Sequence, residues 1–318
     1  MLHLFAIENG VLREKENAGE GIAAGHPQEA TWVDVVEPDE QELSQVESFF
    51  EDTLPADDKE EIESSARYFS DEHGLHVHSL FLHQSDGRSR TSTVAFVVQE
   101  ERLISFRDDV RMADFRLMRM RIRRGWVKAS QPMDILLSIL DQKVENLADA
   151  IEDVHRDLEQ VGYSVLEEEN GELDQDIERL ARLEDTNGKI RLCLMDTQRA
   201  ISFIQRYVRS DKYRRRTCAE IQHDIDTLLS HTTFLFDKIN FLMDAAQGFI
   251  NIQQNQIIKI FSIAAVVFLP PTMIASIYGM NFRVMPELSF EFGYPMAIGL
   301  MILSGIAPYW YFKRKGWL

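Results

Sequence analysis

Eleven residues between Asp244 and Gly279, taken at alternating spacings of four and three, form one series: Asp244, Gly248, Asn251, Asn255, Ile258, Ser262, Ala265, Leu269, Thr272, Ser276 and Gly279. That spacing is the period of helices packed in parallel around a common axis. The series is small or polar apart from Ile258 and Leu269, whereas the neighbouring Ile257, Ile260, Phe261, Ile263, Val266, Val267 and Phe268 are bulky and apolar. Small residues let membrane helices approach one another, which accounts for Ser262, Ala265 and Ser276. It accounts poorly for Asp244, Asn251 and Asn255, which continue the same face. The pattern is read instead as the wall of a water-filled channel, with one such helix contributed per subunit.

The series ends in Gly279-Met280-Asn281. Asn281 offers a neutral carbonyl oxygen, and Gly279 leaves backbone oxygens uncovered at a helix C-terminus, where the macrodipole is negative. Repeated around an axis, these groups suit a hard cation that keeps its waters, as Mg²⁺ does, because they bond to the hydration shell without stripping it. Neutral oxygens also hold the ion weakly enough for it to leave. Met280 is read as a packing residue, since a thioether is soft and suits a hard cation poorly. Leu269 and Ile258 would form apolar rings that close the path by dewetting, with Thr272 a turn above one and Asn255 a turn below the other. Pro270-Pro271 removes two backbone donors and is expected to bend the helix there.

These residues need a membrane to act in. Ile260 to Gly279 is 20 residues without a charge and Phe292 to Phe312 is 21. As helices rising 1.5 Å per residue, each crosses roughly 30 Å of hydrocarbon, and both lie too far along the chain to be signal sequences. The intervening loop, Met280 to Glu291, is too short to be a domain. Lys259 precedes the first span and Lys313, Arg314 and Lys315 follow the second, while the loop holds only Arg283. The positive-inside rule therefore puts both termini in the cytoplasm. Cys193 and Cys218 then lie in a reducing compartment and are read as unpaired packing residues.

Of 52 acidic and 34 basic side chains, 2 and 5 lie beyond residue 256, which leaves the first 256 residues with a balance of −21. A nucleic acid would be repelled by that surface, whereas cations would be attracted. Strand-like runs occur at Thr31–Val36, Leu75–Leu82, Thr91–Val98 and Leu103–Phe106, with a helical pattern at Asp39–Phe50 and a hairpin across Asp86-Gly87. From Pro132 the pattern changes to long helices, broken around Glu167 to Glu172. A third helix from near Tyr213 runs into the first span as a rod of roughly 65 residues, about 100 Å long. His73, His76, His78 and His83 cluster in sequence, but period-two counting puts His83 on the opposite strand face from His76 and His78, so a mixed strand surface is preferred to a metal site. No phosphate-binding glycine loop or nucleophile triad is apparent, so neither ATP-driven pumping nor an enzyme activity is expected.

Tyr278-Gly279-Met280-Asn281-Phe282, then Met285-Pro286-Glu287-Leu288, and the closing Tyr311 to Leu318 resemble the CorA family of magnesium transport proteins, as does the layout of the whole chain. The resemblance implies an α+β membrane protein: a cytoplasmic α/β domain over 1–125, a long-helix stalk over 126–256, transmembrane helices over 257–281 and 292–312, an external loop over 282–291 and a basic tail over 313–318. It further implies a homopentamer in a bacterial-type inner membrane, passing Mg²⁺, and also Co²⁺ and Ni²⁺, down the membrane potential without an organic cofactor. Regulation by cytoplasmic Mg²⁺ through carboxylates is implied too, for which Glu220 on the stalk and Asp86 in the hairpin turn are the candidates. Arg283 departs from the family pattern, where an acid is common, and pairing with Glu287 or Glu291 is expected to offset it. A zinc transporter of the same superfamily and a non-conducting, membrane-tethered cation sensor are the rival readings.

Overall fold

A computed structural model gives the fold and describes residues 1–15, 30–39, 42, 44, 46, 67–85, 87–108, 112–167, 173–281, 283 and 285–316. Contacts divide the chain into two units, Met1–Met243 and Asp244–Leu318.

The first unit is built on a mixed sheet of β1 (Leu2–Glu8), β2 (Val11–Lys15), β3 (Trp32–Val36), β4 (Tyr68–Asp71), β5 (Gly74–Ser85), β6 (Arg88–Val98) and β7 (Leu103–Arg107), in the order β2-β1-β3-β7-β6-β5-β4. Among the described residues only β3 and β7 pair in parallel. The runs expected around Thr31, Leu75, Thr91 and Leu103 are strands, and β5 and β6 form the expected hairpin, with Ser85 opposite Arg88. β1, β2 and β4 go beyond those expectations. The β1–β2 turn is Asn9-Gly10 with φ of 52° and 79°, a two-residue connection whose positive φ values match the twist of the strands. Of the helical pattern at Asp39–Phe50, residues 42, 44 and 46 are helical, and its other residues after Asp39 lie outside the described residues.

β3 reads Trp-Val-Asp-Val-Val and is buried at every position, so its one carboxylate must be paired. Arg107 of β7 donates from Nε to Asp34 Oδ1 at 3.1 Å and from Nη2 to Oδ2 at 2.9 Å, and its guanidinium stacks 4.4 Å over the Phe115 ring. Ser105 donates to Asp34 and accepts from the Trp32 indole. The two parallel strands are thus cross-linked through polar side chains inside an apolar sheet.

The helices are α1 (Ala113–Arg123), α2 (Pro132–Glu167), α3 (Leu173–Ile204), α4 (Lys212–Tyr278) and α5 (Gly293–Arg314). In α1, Phe115, Met118 and Ile122 are buried at helical spacing, under a surface rich in arginine. α2 buries Ile135, Ile139, Leu147, Ile151, Leu158 and Val165, and α3 packs beside it. α4 lays Cys218, Ile221, Ile225, Leu235, Ile239 and Leu242 into this unit at spacings of three, four or more. Asn187 Nδ2 of α3 donates to Thr232 O of α4 at 2.9 Å. Both cysteines are buried and free, and burial pushes each thiol up to about 11.

α4 is a single 67-residue helix, assigned without interruption through Pro270 and Pro271. At 1.5 Å per residue it is about 100 Å long. Its last part and α5 form the second unit, and among the described residues these are the two helices long and apolar enough to cross a membrane.

Candidate functional site

Within the second unit the two sides of α4 differ. Ile263, Val267, Pro270, Pro271, Ile274 and Tyr278 are half-buried, whereas Ser262, Ala265, Leu269, Thr272, Ser276 and Gly279 are exposed. At about 100° per residue the two sets centre roughly 180° apart. α5 supplies the cover: a Cβ on Gly305 would lie 3.4 Å from Pro271 Cγ and 3.4 Å from the Val267 carbonyl oxygen. Ala297, Met301, Ser304, Gly305 and Pro308 repeat along the covered side of α5. The small and polar series is therefore the face of α4 turned away from its own partner helix. The series continues through Ile258, Asn255, Asn251, Gly248 and Asp244, all exposed.

Proline chemistry explains part of this packing. Pro270 and Pro271 have no N–H, so the carbonyls of Val266 and Val267 lose their helical donors. The Val267 oxygen faces the cleft that Gly305 leaves open, which lets the two backbones approach. On the opposite side, Thr272 Oγ1 donates to Phe268 O at 2.7 Å. Its hydroxyl hydrogen is thereby engaged, and its lone pairs are left as acceptors on the exposed face.

The helix closes on Gly279. Its N–H reaches Ala275 O at 2.9 Å, and Met280 N–H reaches Ile277 O at 3.2 Å in a tighter last turn. A Cβ at Gly279 would sit 3.2 Å from Ala275 O and 3.7 Å from Ser276 O, so a side chain here would crowd the terminal carbonyls. Asn281 follows outside the helix and is exposed, as is Met280. The loop then makes a 3-10 turn at Pro286–Ser289 before α5 begins. Arg283 is exposed and forms no ion pair with Glu287 or Glu291 among the described residues, contrary to the pairing expected from sequence. An exposed pair contributes only about 0–1 kcal/mol, too little to impose that geometry on a short loop.

The carboxylates expected to sense metal are placed less completely. Glu220 is exposed on α4 and accepts from Arg216 Nε at 2.8 Å. Burial raises Asp141 on α2, against the pull of Arg121, and Asp224 and Glu220 raise it further. Asp86 lies outside the described residues. The histidines are strand residues: His76 Nε2 lies 3.0 Å from Asp71 Oδ1 with its ring stacked on Phe69, and His83 Nε2 lies 2.9 Å from Ser92 Oγ. No group of three His, Cys, Asp or Glu side chains suited to a metal ion occurs among the described residues.

Residues 27–314 match the family described as CorA-like Mg2+ transporter protein. The chain belongs to the CorA family. It is 47% identical to the Magnesium transport protein CorA of Escherichia coli K12 over 322 residues, covering 100% of both chains. It is 49% identical to the Salmonella typhimurium LT2 protein of the same name over 293 residues, covering 91% of this chain and 92% of that one. The complete CorA magnesium transporter of Methanocaldococcus jannaschii shares the fold, with a TM-score of 0.77 at 18% identity over 100% of this chain and 99% of that one. The full-length CmaX protein does so with a TM-score of 0.73 at 15% identity, covering 99% and 97%. The fold expected from sequence, a sheet domain, long helices and two C-terminal apolar helices, is therefore that of CorA, and CorA relatives are ion transporters rather than enzymes.

Proposed function

We propose that the chain conducts Mg²⁺ through a pore lined by α4, one helix per subunit. The observation that carries this is the orientation of the small and polar series, which lies opposite the side of α4 covered by α5. A face with acceptor oxygens at Asn251, Asn255 and Thr272 has no use against lipid and none against α5.

In this reading Gly279, Met280 and Asn281 form the outer mouth, with Asn281 amide oxygens and the last helical carbonyls bonding to the ion's water shell. Ile258 and Leu269 form apolar constrictions, Asn255 and Thr272 rewet the path beside them, and Asp244 gives a carboxylate ring near the inner mouth. The assembly is a homopentamer by family likeness, with both termini cytoplasmic because Lys259 and Lys313 to Lys315 flank the spans and the loop holds a single base. The domain limits are those given by sequence: 1–125, 126–256, 257–281, 282–291, 292–312 and 313–318. Inward movement of a divalent ion gains about 4.6 kcal/mol per 100 mV, so the membrane potential alone drives uptake, and Co²⁺ and Ni²⁺ share the path. Cytoplasmic Mg²⁺ closes it through carboxylates, with Glu220 and Asp86 as the candidates.

The test is uptake into proteoliposomes under an inward-negative potential, combined with single cysteines at Thr272 and Val267. Mg²⁺ entry should occur, and a charged thiol reagent should block the Thr272→Cys protein and spare the Val267→Cys protein. Absence of divalent flux would leave a cation sensor, Zn²⁺ flux without Mg²⁺ flux would make it a zinc transporter, and equal labelling of both sites would overturn the pore face.

A further inference from the structure

Inside the first unit, three charged side chains from three helices share one dry space. Lys143 of α2 is 1% exposed; its Nζ donates to Ser79 Oγ at 2.8 Å, lies 3.9 Å from Asp196 Oδ2 and stands 4.5 Å over the Phe81 ring. Asp196 of α3 is saturated: it accepts from Ser79 Oγ at 2.7 Å, from the Leu80 amide at 2.8 Å, from Tyr68 Oη at 2.7 Å and from Arg67 at 3.3 Å. Asp114, in the first turn of α1, is 2% exposed, and neither of its carboxylate oxygens has a hydrogen-bond partner.

The groups facing Asp114 are Lys143 and the Asn146 side chain, both on α2, the latter without hydrogen-bond alignment; beyond Lys143 stand Cys193 and Asp196 of α3 and Ser79 of β5. One ammonium thus serves two carboxylates, and Asp196 already holds it through Ser79. An ionised Asp114 would be a second negative charge that faces its own backbone N–H and the Asn146 amide without a well-aligned hydrogen bond to either, which a dry interior tolerates poorly.

We propose that Asp114 is a proton-binding site of the first unit, whose occupancy sets how firmly α1 seats on α2 and the sheet. Protonated, the carboxyl is neutral and sits quietly beside Lys143 and Asn146; ionised, it draws water toward the start of α1. Burial pushes the Asp114 carboxyl up to about 7, with Lys143 opposing that rise. The native state therefore holds a proton that the unfolded chain has already released. Stability from this group is greatest at low pH and falls as pH rises from the ordinary carboxylate range to about 7, then levels off. This direction is opposite to that of a salt-bridged carboxylate such as Asp134, which accepts from Arg214 at 2.7 Å and lies below its ordinary value despite burial.

The experiment uses the full-length protein in detergent micelles, with thermal midpoint and the infrared carboxylic-acid C=O band followed from pH 5.5 to 8.5. In the parent, the midpoint should fall as pH rises and level off above about 7, the pH around which one protonated-carboxyl band should fade. Asp114→Asn should lack that band and that part of the slope, and should be the more stable protein at pH 8. Lys143→Met removes the competing ammonium, so the band should persist at least tenfold further toward low proton concentration. A parent and an Asp114→Asn protein with superimposable pH profiles and spectra would overturn the proposal, as would a Lys143→Met band that fades at the parent's pH.

Discussion

Asn281 and Arg283 stand two positions apart and make opposite demands on a cation. Asn281→Ala removes an acceptor from the mouth without touching any buried contact, because the side chain is exposed beyond the last turn of α4. Mg²⁺ uptake should fall below detection while the oligomer survives gel filtration; uptake at the parental rate would remove Asn281 from the mouth. Asn281→Asp should bind divalents more tightly and release them more slowly, giving half-saturation at lower Mg²⁺ and a lower maximal rate. Arg283 has no ion pair among the described residues, so Arg283→Glu should raise uptake at low external Mg²⁺, an effect that fades as salt screens the mouth. A different demand operates at Arg107. Its guanidinium is the bidentate donor to buried Asp34, so Arg107→Met leaves that carboxylate to the Ser105 hydroxyl and to Arg119, 3.9 Å away. A loss of about 3–5 kcal/mol is expected, read as a lower denaturation midpoint of the first unit, whereas a midpoint within error of the parent would mean that Asp34 finds other donors.

Elements were legible in the sequence where a single physical signal dominates. The period of the small and polar series, the two charge-free spans and the hairpin between β5 and β6 each rest on spacing or composition alone. β1 and β2 were hidden because they are joined by two residues and alternate weakly, although Asn9-Gly10 was a turn signal in plain view. α1 was hidden because arginines at 116, 119, 121 and 123 mask the Phe115, Met118, Ile122 stripe. What no periodicity could reveal is which side of α4 meets α5, or that Lys143 and Asp196, 53 positions apart, share Ser79. The covered side of α4 gives a prediction at this scale. Gly305 faces Pro271 Cγ and the Val267 oxygen with no room for more than a small group, so Gly305→Leu should force α5 away from α4 and reduce assembled protein, while Gly299→Leu, where a Cβ meets nothing within 4 Å, should not. Equal yields of assembled protein from both variants would contradict the packing. On the other side, Leu269→Ser or Ile258→Ser should wet a constriction and raise leak at high internal Mg²⁺, and unchanged current in both would put the gate elsewhere.

For the whole molecule the decisive quantity is charge. The first 256 residues carry −21 and the remainder a small positive excess, so copies gathered around one axis bring strongly acidic bodies together. Two remedies exist: diffuse screening, which any salt provides within a Debye length of about 8 Å at 0.15 M, or divalent ions lodged between carboxylates of neighbouring copies. They are separable, because screening depends only on ionic strength whereas bridging requires Mg²⁺ itself. α4 continues as one helix from this acidic part to Tyr278, so any splaying of copies acts on the same element that carries Ile258 and Leu269. The expected outcome is that millimolar Mg²⁺ protects the assembled protein from trypsin and lowers flux, while NaCl of matched ionic strength does neither. In Glu220→Ala the protection should need more Mg²⁺, since removing that carboxylate also frees Arg216, its present partner, and adds local positive charge. If NaCl protects as well as Mg²⁺, the acidic surface is a solvated one and closure by bridging is wrong; if Mg²⁺ alone protects but Glu220→Ala responds at the parental concentration, bridging stands and Glu220 has no part in it.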